Sequence, residues 1–157
     1  TWYLFGGDAS NYPEISNQEV TEETRKVTDR IDSLINTLAL TKDNIFVFYP
    51  IPELSMHINK TIDLSFKNGV DLIDIKGTDY SWYKQRNSYM INHFDNVVYP
   101  NNVHLLRSQN IFCDEKDCYS VKDKLPLYFD HGHPAIPHGA SKLANLINIS
   151  RIELIHD

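Results

Sequence analysis

The five residues Ile45-Phe-Val-Phe-Tyr49 are apolar or aromatic on both faces, with Asp43-Asn44 before them and Pro50-Ile-Pro52 behind. A run this short suits a strand better than a helix, and its lack of alternation means that neither face is meant for water. Strands of that kind belong to parallel sheets covered on both sides. The preceding residues supply a cover. Trp2 to Phe5 reads as another buried strand, ended by Gly6-Gly7-Asp8, and Ser16-x-x-Glu19 has the form of a capping box. Behind it Val20, Val27, Ile31, Leu34, Ile35 and Leu38 recur at helical spacing to about Leu40. Strand, amphipathic helix and strand make a βαβ unit with a right-handed crossover. The expectation is an α/β fold, three-layer α/β/α with a parallel sheet.

The same periodicity predicts a helix over Tyr80 to Phe94 with Trp82, Tyr83, Met90, Ile91 and Phe94 inward. Val97-Val98-Tyr99 and Val103-His-Leu-Leu106 read as short strands, and a last helix runs from about His138 through Leu143, Leu146 and Ile147. Residues 53 to 79 carry no pattern that decides between helix and strand. At 157 residues, 1–157 reads as a single domain with enough chain for its own core. The opening Thr1-Trp-Tyr-Leu-Phe5 is apolar where termini are usually polar, so the chain reads as a piece of something longer.

Charge narrows the partners. The formal net charge is −6, and the Lys and Arg residues never run beyond a pair. A phosphate backbone needs clustered cations, so nucleic acid is excluded as a partner. No apolar run is long enough to span a bilayer. The two cysteines, Cys113 and Cys118, enclose Asp-Glu-Lys-Asp, the composition of an exposed loop. A small disulfide is the favoured reading and implies an oxidising compartment, periplasmic or extracellular. Free thiols and a zinc pair are the alternatives.

The richest chemistry lies in Leu127-Tyr-Phe-Asp130-His-Gly-His133-Pro-Ala-Ile-Pro-His138-Gly139-Ala140. An acid three residues before a histidine shares one tight loop with it. The carboxylate can accept the imidazole Nδ1–H, which leaves Nε2 free to take a proton. Two blander readings stand beside this one. Asp130 could cap the following helix, or His131 and His133 could ligate a metal, with Asp130 and His138 nearby.

Context adds a resemblance. Asp-x-x-His before a Gly-led helix resembles the last block of the SGNH (GDSL-type) hydrolases. Tyr3-Leu-Phe-Gly6-Gly7-Asp8 is similar to their third block. Trp2, Pro50-Ile-Pro52-Glu53, Cys113 to Cys118 and Leu127-Tyr128-Phe-Asp130 to Gly139-Ala140 follow in the order found in the periplasmic SGNH domain fused to bacterial membrane O-acyltransferases. The resemblance implies an SGNH/flavodoxin-like fold with its N-terminal part missing here. It also implies Ser-His-Asp acyl transfer or ester hydrolysis on a cell-envelope glycan, with an acyl donor and a glycan acceptor as partners and no cofactor. A membrane would enter only through a larger parent protein. Asp130 and His133 take the catalytic roles, and the family's Gly-Asp-Ser nucleophile falls upstream of Thr1. Gly7-Asp8-Ala9-Ser10 departs from that motif, since Ala9 stands where the serine should be and Ser10 is one step off. Gly7 and Asn11 are the oxyanion-hole candidates. A metal-dependent hydrolase using His131 and His133, and a non-catalytic remnant or glycan-binding module, are the rival functions.

Overall fold

The computed structural model describes residues 9–15 and 19–156. The expected strand at Trp2 to Phe5, together with Gly7 and Ser16, lies outside them. A single 3-10 turn, Ala9–Asn11, opens the described chain. The first helix, α1, spans Glu22–Ala39, and Thr21 caps it by accepting the Thr24 N–H at 3.2 Å. Glu22 and Glu23 fill the first turn, where carboxylates oppose the helix dipole. The helix therefore starts after the expected capping box, and Glu19 is not helical. Thr21 supplies the cap that the box was to provide.

The buried face of α1 also differs from expectation. Ile35 is buried and Ile31 half-buried, but Val20, Val27, Leu34 and Leu38 are exposed. Thr24 and Thr28 are buried instead. Their hydroxyls donate to the carbonyls of Thr21 and Arg25, both at 2.8 Å, so neither carries an unmet polar group inward. Threonines satisfied by their own helix escape a search for apolar spacing.

After α1 comes β1, Ile45–Phe48, which pairs in parallel with β3, Val103–Leu106, in the register Ile45 to Val103 and Phe48 to Leu106. This is the parallel sheet that the apolar run demanded, and the α/β class holds. Between the two strands lie α2 (Ile58–Lys67), β2 (Ile75–Asp79), α3 (Tyr80–Arg86) and α4 (Ser88–Asn96). The single helix expected over Tyr80 to Phe94 is thus two. Asn87 separates them: its side-chain amide donates to the Tyr83 carbonyl at 3.0 Å, competing for a backbone acceptor of the first helix. Val97 to Tyr99 form no strand; Val98 is 92% exposed, and no strand among the described residues pairs with it.

A second sheet was not foreseen. After α5, Gln109–Phe112, the strand β4, Asp117–Lys122, pairs antiparallel with β2 and with β5, Leu125–Pro126. Asp123 and Lys124 make the hairpin turn with φ of 54° and 67°, the left-handed region that tight hairpins demand. Cys118, Ser120 and Val121 of β4 are all buried, and the Ser120 hydroxyl donates to the Ile75 carbonyl at 2.9 Å. Leu54, Ile58, Ile75, Phe112, Val121, Leu127 and Tyr128 pack as one core. The chain leaves β5 at the last two of these, crosses the Asp130 loop and enters α6, His138–His156.

Candidate active site

The Asp130 loop is fixed from below before its chemistry begins. Leu127 and Tyr128 are buried, and the Tyr128 hydroxyl donates to the Pro52 carbonyl at 2.8 Å. Leu54 N–H donates to the His131 carbonyl at 2.6 Å, Phe129 N–H to that of His133 at 2.8 Å, and Ala135 N–H to that of Leu127 at 2.9 Å. The loop is therefore stitched to the segment leaving β1 and closed upon itself. The first turn of α6 presses against it. A Cβ on Gly139 would stand 2.1 Å from the Leu127 carbonyl oxygen, so only glycine lets helix and loop approach this closely.

Within that frame Asp130 accepts three hydrogen bonds. Its Oδ1 takes the backbone N–H groups of Gly132 and His133, both at 2.9 Å, and its Oδ2 takes His133 Nδ1–H at 2.7 Å. Partial burial works against the ionised form, but the two backbone donors and the imidazole together outweigh it. They hold the Asp130 carboxyl far below the usual carboxylate range. A permanent carboxylate fixes the Nδ1–H tautomer and leaves Nε2 as the basic nitrogen. Among the described residues no group hydrogen-bonds to Nε2, and the His133 side chain is 83% exposed against 23% for Asp130. Phe129 and Ile136 flank the pair in sequence and are 74% and 88% exposed.

Beneath the loop sits an ion pair that the sequence reading did not find. Arg86 Nε donates to Glu53 Oε2 at 2.5 Å, with side chains only 8% and 11% exposed. Glu53 Cγ lies 3.9 Å from where a Cβ on Gly132 would be. The Arg86 guanidinium also lies over the Trp82 ring, 5.2 Å from its centroid. The motif Pro50-Ile-Pro52-Glu53 was visible in the sequence, but its partner lies 33 residues on, and nothing in the pattern links them.

The other expected residues fall out as follows. His131 rests its ring against His57 at 5.6 Å. His138 opens α6 with its Nε2 buried and without a hydrogen-bond partner among the described residues. Among the described residues no group of three or more His, Cys, Asp or Glu side chains is placed to hold a metal ion. Ala9 is buried and Ser10 exposed in the opening turn; Asn11 is exposed there and makes no hydrogen bond to the Asp130 loop. Gly7 lies outside the described residues. Cys113 and Cys118 are joined in a disulfide, which removes the free-thiol and zinc readings. No described helix is long and apolar enough to cross a membrane.

An α/β sheet, a last helix led by glycine and an Asp–His pair on the loop between them define the class of protein. The chain belongs to the family of the SGNH domain (fused to AT3 domains), whose model matches residues 1–148, and this is a family of hydrolases and acyltransferases. No curated protein and no solved structure matches the chain.

Proposed function

We propose that Asp130 and His133 are the acid–base half of a Ser-His-Asp site that transfers an acyl group to, or hydrolyses it from, a hydroxyl of a cell-envelope glycan. The observation that carries this reading is the 2.7 Å bond between His133 Nδ1–H and Asp130, with Nε2 left open to solvent. In the reaction Nε2 takes the proton of a serine hydroxyl as that oxygen attacks the acyl carbonyl. The imidazolium charge is balanced by Asp130, and the proton passes on to the departing alkoxide. A second hydroxyl, of a glycan or of water, then reverses these steps and frees the serine. Among the described residues no Ser or Thr hydroxyl bonds to Nε2, and the nucleophile is assigned to a Gly-Asp-Ser segment upstream of Thr1, with Gly7 and Asn11 kept as oxyanion-hole candidates. The disulfide supports a periplasmic or extracellular setting, and a membrane enters through the fused parent named by the family.

A fluorophosphonate, which labels only activated serines, tests this directly. The protein carrying the upstream segment should be labelled there, and His133→Ala should abolish the label. Labelling at Ser10 would move the nucleophile into this chain, and labelling indifferent to His133 would sink the acid–base assignment.

A further inference from the structure

The strip Pro50 to Leu54, just after β1, is the support to which the Asp130 loop is tied. The Tyr128 hydroxyl donates to the Pro52 carbonyl at 2.8 Å, and Leu54 N–H donates to that of His131 at 2.6 Å. Between these two attachments the Glu53 side chain lies against Gly132, its Cγ 3.9 Å from where a Cβ there would stand. Gly132 N–H is one of the two backbone donors that fix Asp130 Oδ1. A displacement of Glu53 therefore bears on the group that orients His133.

The strip is held in turn. The Tyr83 and Ser108 hydroxyls both donate to the Pro50 carbonyl at 2.9 Å, and the Thr78 hydroxyl donates to the Glu53 carbonyl at 3.3 Å. These bonds fix the main chain but not the direction of the Glu53 side chain. Arg86 fixes that. It ends α3, its guanidinium lies over the Trp82 ring one turn back, and its Nε donates to Glu53 Oε2 at 2.5 Å. Trp82 is buried, and its Nε1–H donates to the Glu14 carbonyl at 3.3 Å. A guanidinium is a rigid planar fork, so the carboxylate paired with it is held in direction as well as in distance.

Stability alone does not account for such a pair. Two charges taken out of water lose hydration that their attraction only partly returns, and apolar residues of similar volume often serve a fold as well or better. An apolar pair would lack direction, because hydrocarbon packs from any side. Direction is what the Asp130 loop needs, since misplacing a reacting group by about 1 Å can cost on the order of 10²-fold in rate.

We propose that Glu53 and Arg86 are positioning residues for the Asp130–His133 pair. Arg86 holds the Glu53 side chain against Gly132, and that contact sets the loop in the geometry the reaction uses. The inference rests on the acid–base reading of the loop and adds to it two residues that touch no reacting atom.

The test separates position from stability in the protein that contains the nucleophile. Glu53→Leu with Arg86→Met removes both charges together, so no buried charge is left unpaired. Glu53→Asp keeps the charge and shortens its arm by one methylene. With para-nitrophenyl acetate both should lower kcat roughly 10- to 100-fold and leave KM within about twofold. Amide exchange at Gly132 and His133 should quicken in both, while the denaturant midpoint of the double variant stays at that of the parent. If the double variant fails to fold, Glu53→Asp carries the test. Parental kcat and parental exchange at Gly132 and His133 would overturn the proposal. So would a loss of kcat that comes with a lower midpoint and faster exchange throughout the chain, which would make the pair a support of the whole fold. His133→Ala tests the underlying reading separately. If it turned over like the parent, the acid–base assignment would fail, yet faster exchange confined to Gly132 and His133 in Glu53→Asp would still show that the pair positions the loop.

Discussion

The Asp114 turn and the Asp130 turn are built alike. In each, Oδ1 accepts the N–H groups two and three residues on: Lys116 and Asp117 at 2.8 and 2.7 Å in one, Gly132 and His133 at 2.9 Å in the other. In each, Oδ2 accepts a side-chain donor, Tyr119 hydroxyl at 2.5 Å or His133 Nδ1–H at 2.7 Å. The difference is in that last donor. A phenol has given its only proton and has nothing left to exchange, whereas an imidazole has a second nitrogen on its far side. The Asp114 turn is therefore complete as scaffolding, walled by a disulfide. The Asp130 turn is the same scaffold with a working end. An Asp turn alone is no evidence of catalysis; the partner of its second oxygen decides.

Replacing each aspartate by asparagine is the sharpest way to break the comparison. Asparagine keeps an oxygen to accept the two backbone donors, so either turn can persist. At Asp130 its amide N–H₂ would face Nδ1 and favour the wrong tautomer. Turnover of para-nitrophenyl acetate by the protein that contains the nucleophile should fall roughly 10²–10⁴-fold in Asp130→Asn. Asp114→Asn should leave turnover unchanged. Equal losses would make both turns merely structural.

Gly139→Ala asks whether the Asp130 turn needs its helix as closely as the geometry implies. The added methyl would meet the Leu127 carbonyl oxygen at 2.1 Å, a backbone atom that cannot swing away. A loss of about 3 kcal/mol in unfolding free energy is expected, since either α6 or the loop must shift. Denaturant unfolding measures it, and a variant as stable as the parent would show that the close approach is dispensable. The disulfide is the smaller restraint. It joins cysteines five residues apart, so on the chain-entropy account Cys113→Ser with Cys118→Ser should cost about 2 kcal/mol. The amide signals of Asp130 and His133 should stay in place while those of Asp114 to Asp117 move.

The two turns also differ in how far the sequence disclosed them. Asp130 and His133 lie three residues apart, so their meeting is a property of a short loop and was legible without a fold. The Cys113–Cys118 bridge was legible for the same reason. Its surroundings were not: β4 begins at Asp117, inside the segment read as an exposed loop, and two of its three buried residues, Cys118 and Ser120, are small. The α1 helix was legible in type but not in facing, because satisfied threonines took the inner positions. Residues 53 to 79 hid α2 and β2, whose lengths and patterns are too short to separate. Hidden most fully was the Glu53–Arg86 pair, since nothing local records a contact across 33 residues.

Acid separates the turns by the least energy but the finest resolution. The Asp114 carboxyl is lowered from 3.8 to about 2, chiefly by the Asp117 N–H, then by the Tyr119 hydroxyl and the Lys116 N–H. A folded-state value below the unfolded one means that the ionised turn adds stability above the unfolded value. That contribution is lost as pH falls from about 4 through about 2. The Asp130 carboxyl lies lower still, although its burial pulls the other way. Carboxyl-carbon resonances should therefore show Asp114 taking its proton first, with the Asp130–His133 bond persisting into stronger acid. Tyr119→Phe removes one donor from Asp114 alone and should raise its midpoint, widening the gap. Coincident titration of both carboxyls near the usual aspartate value would mean that neither turn holds its charge as drawn. The contrast between scaffold and working end would then rest on His133 alone.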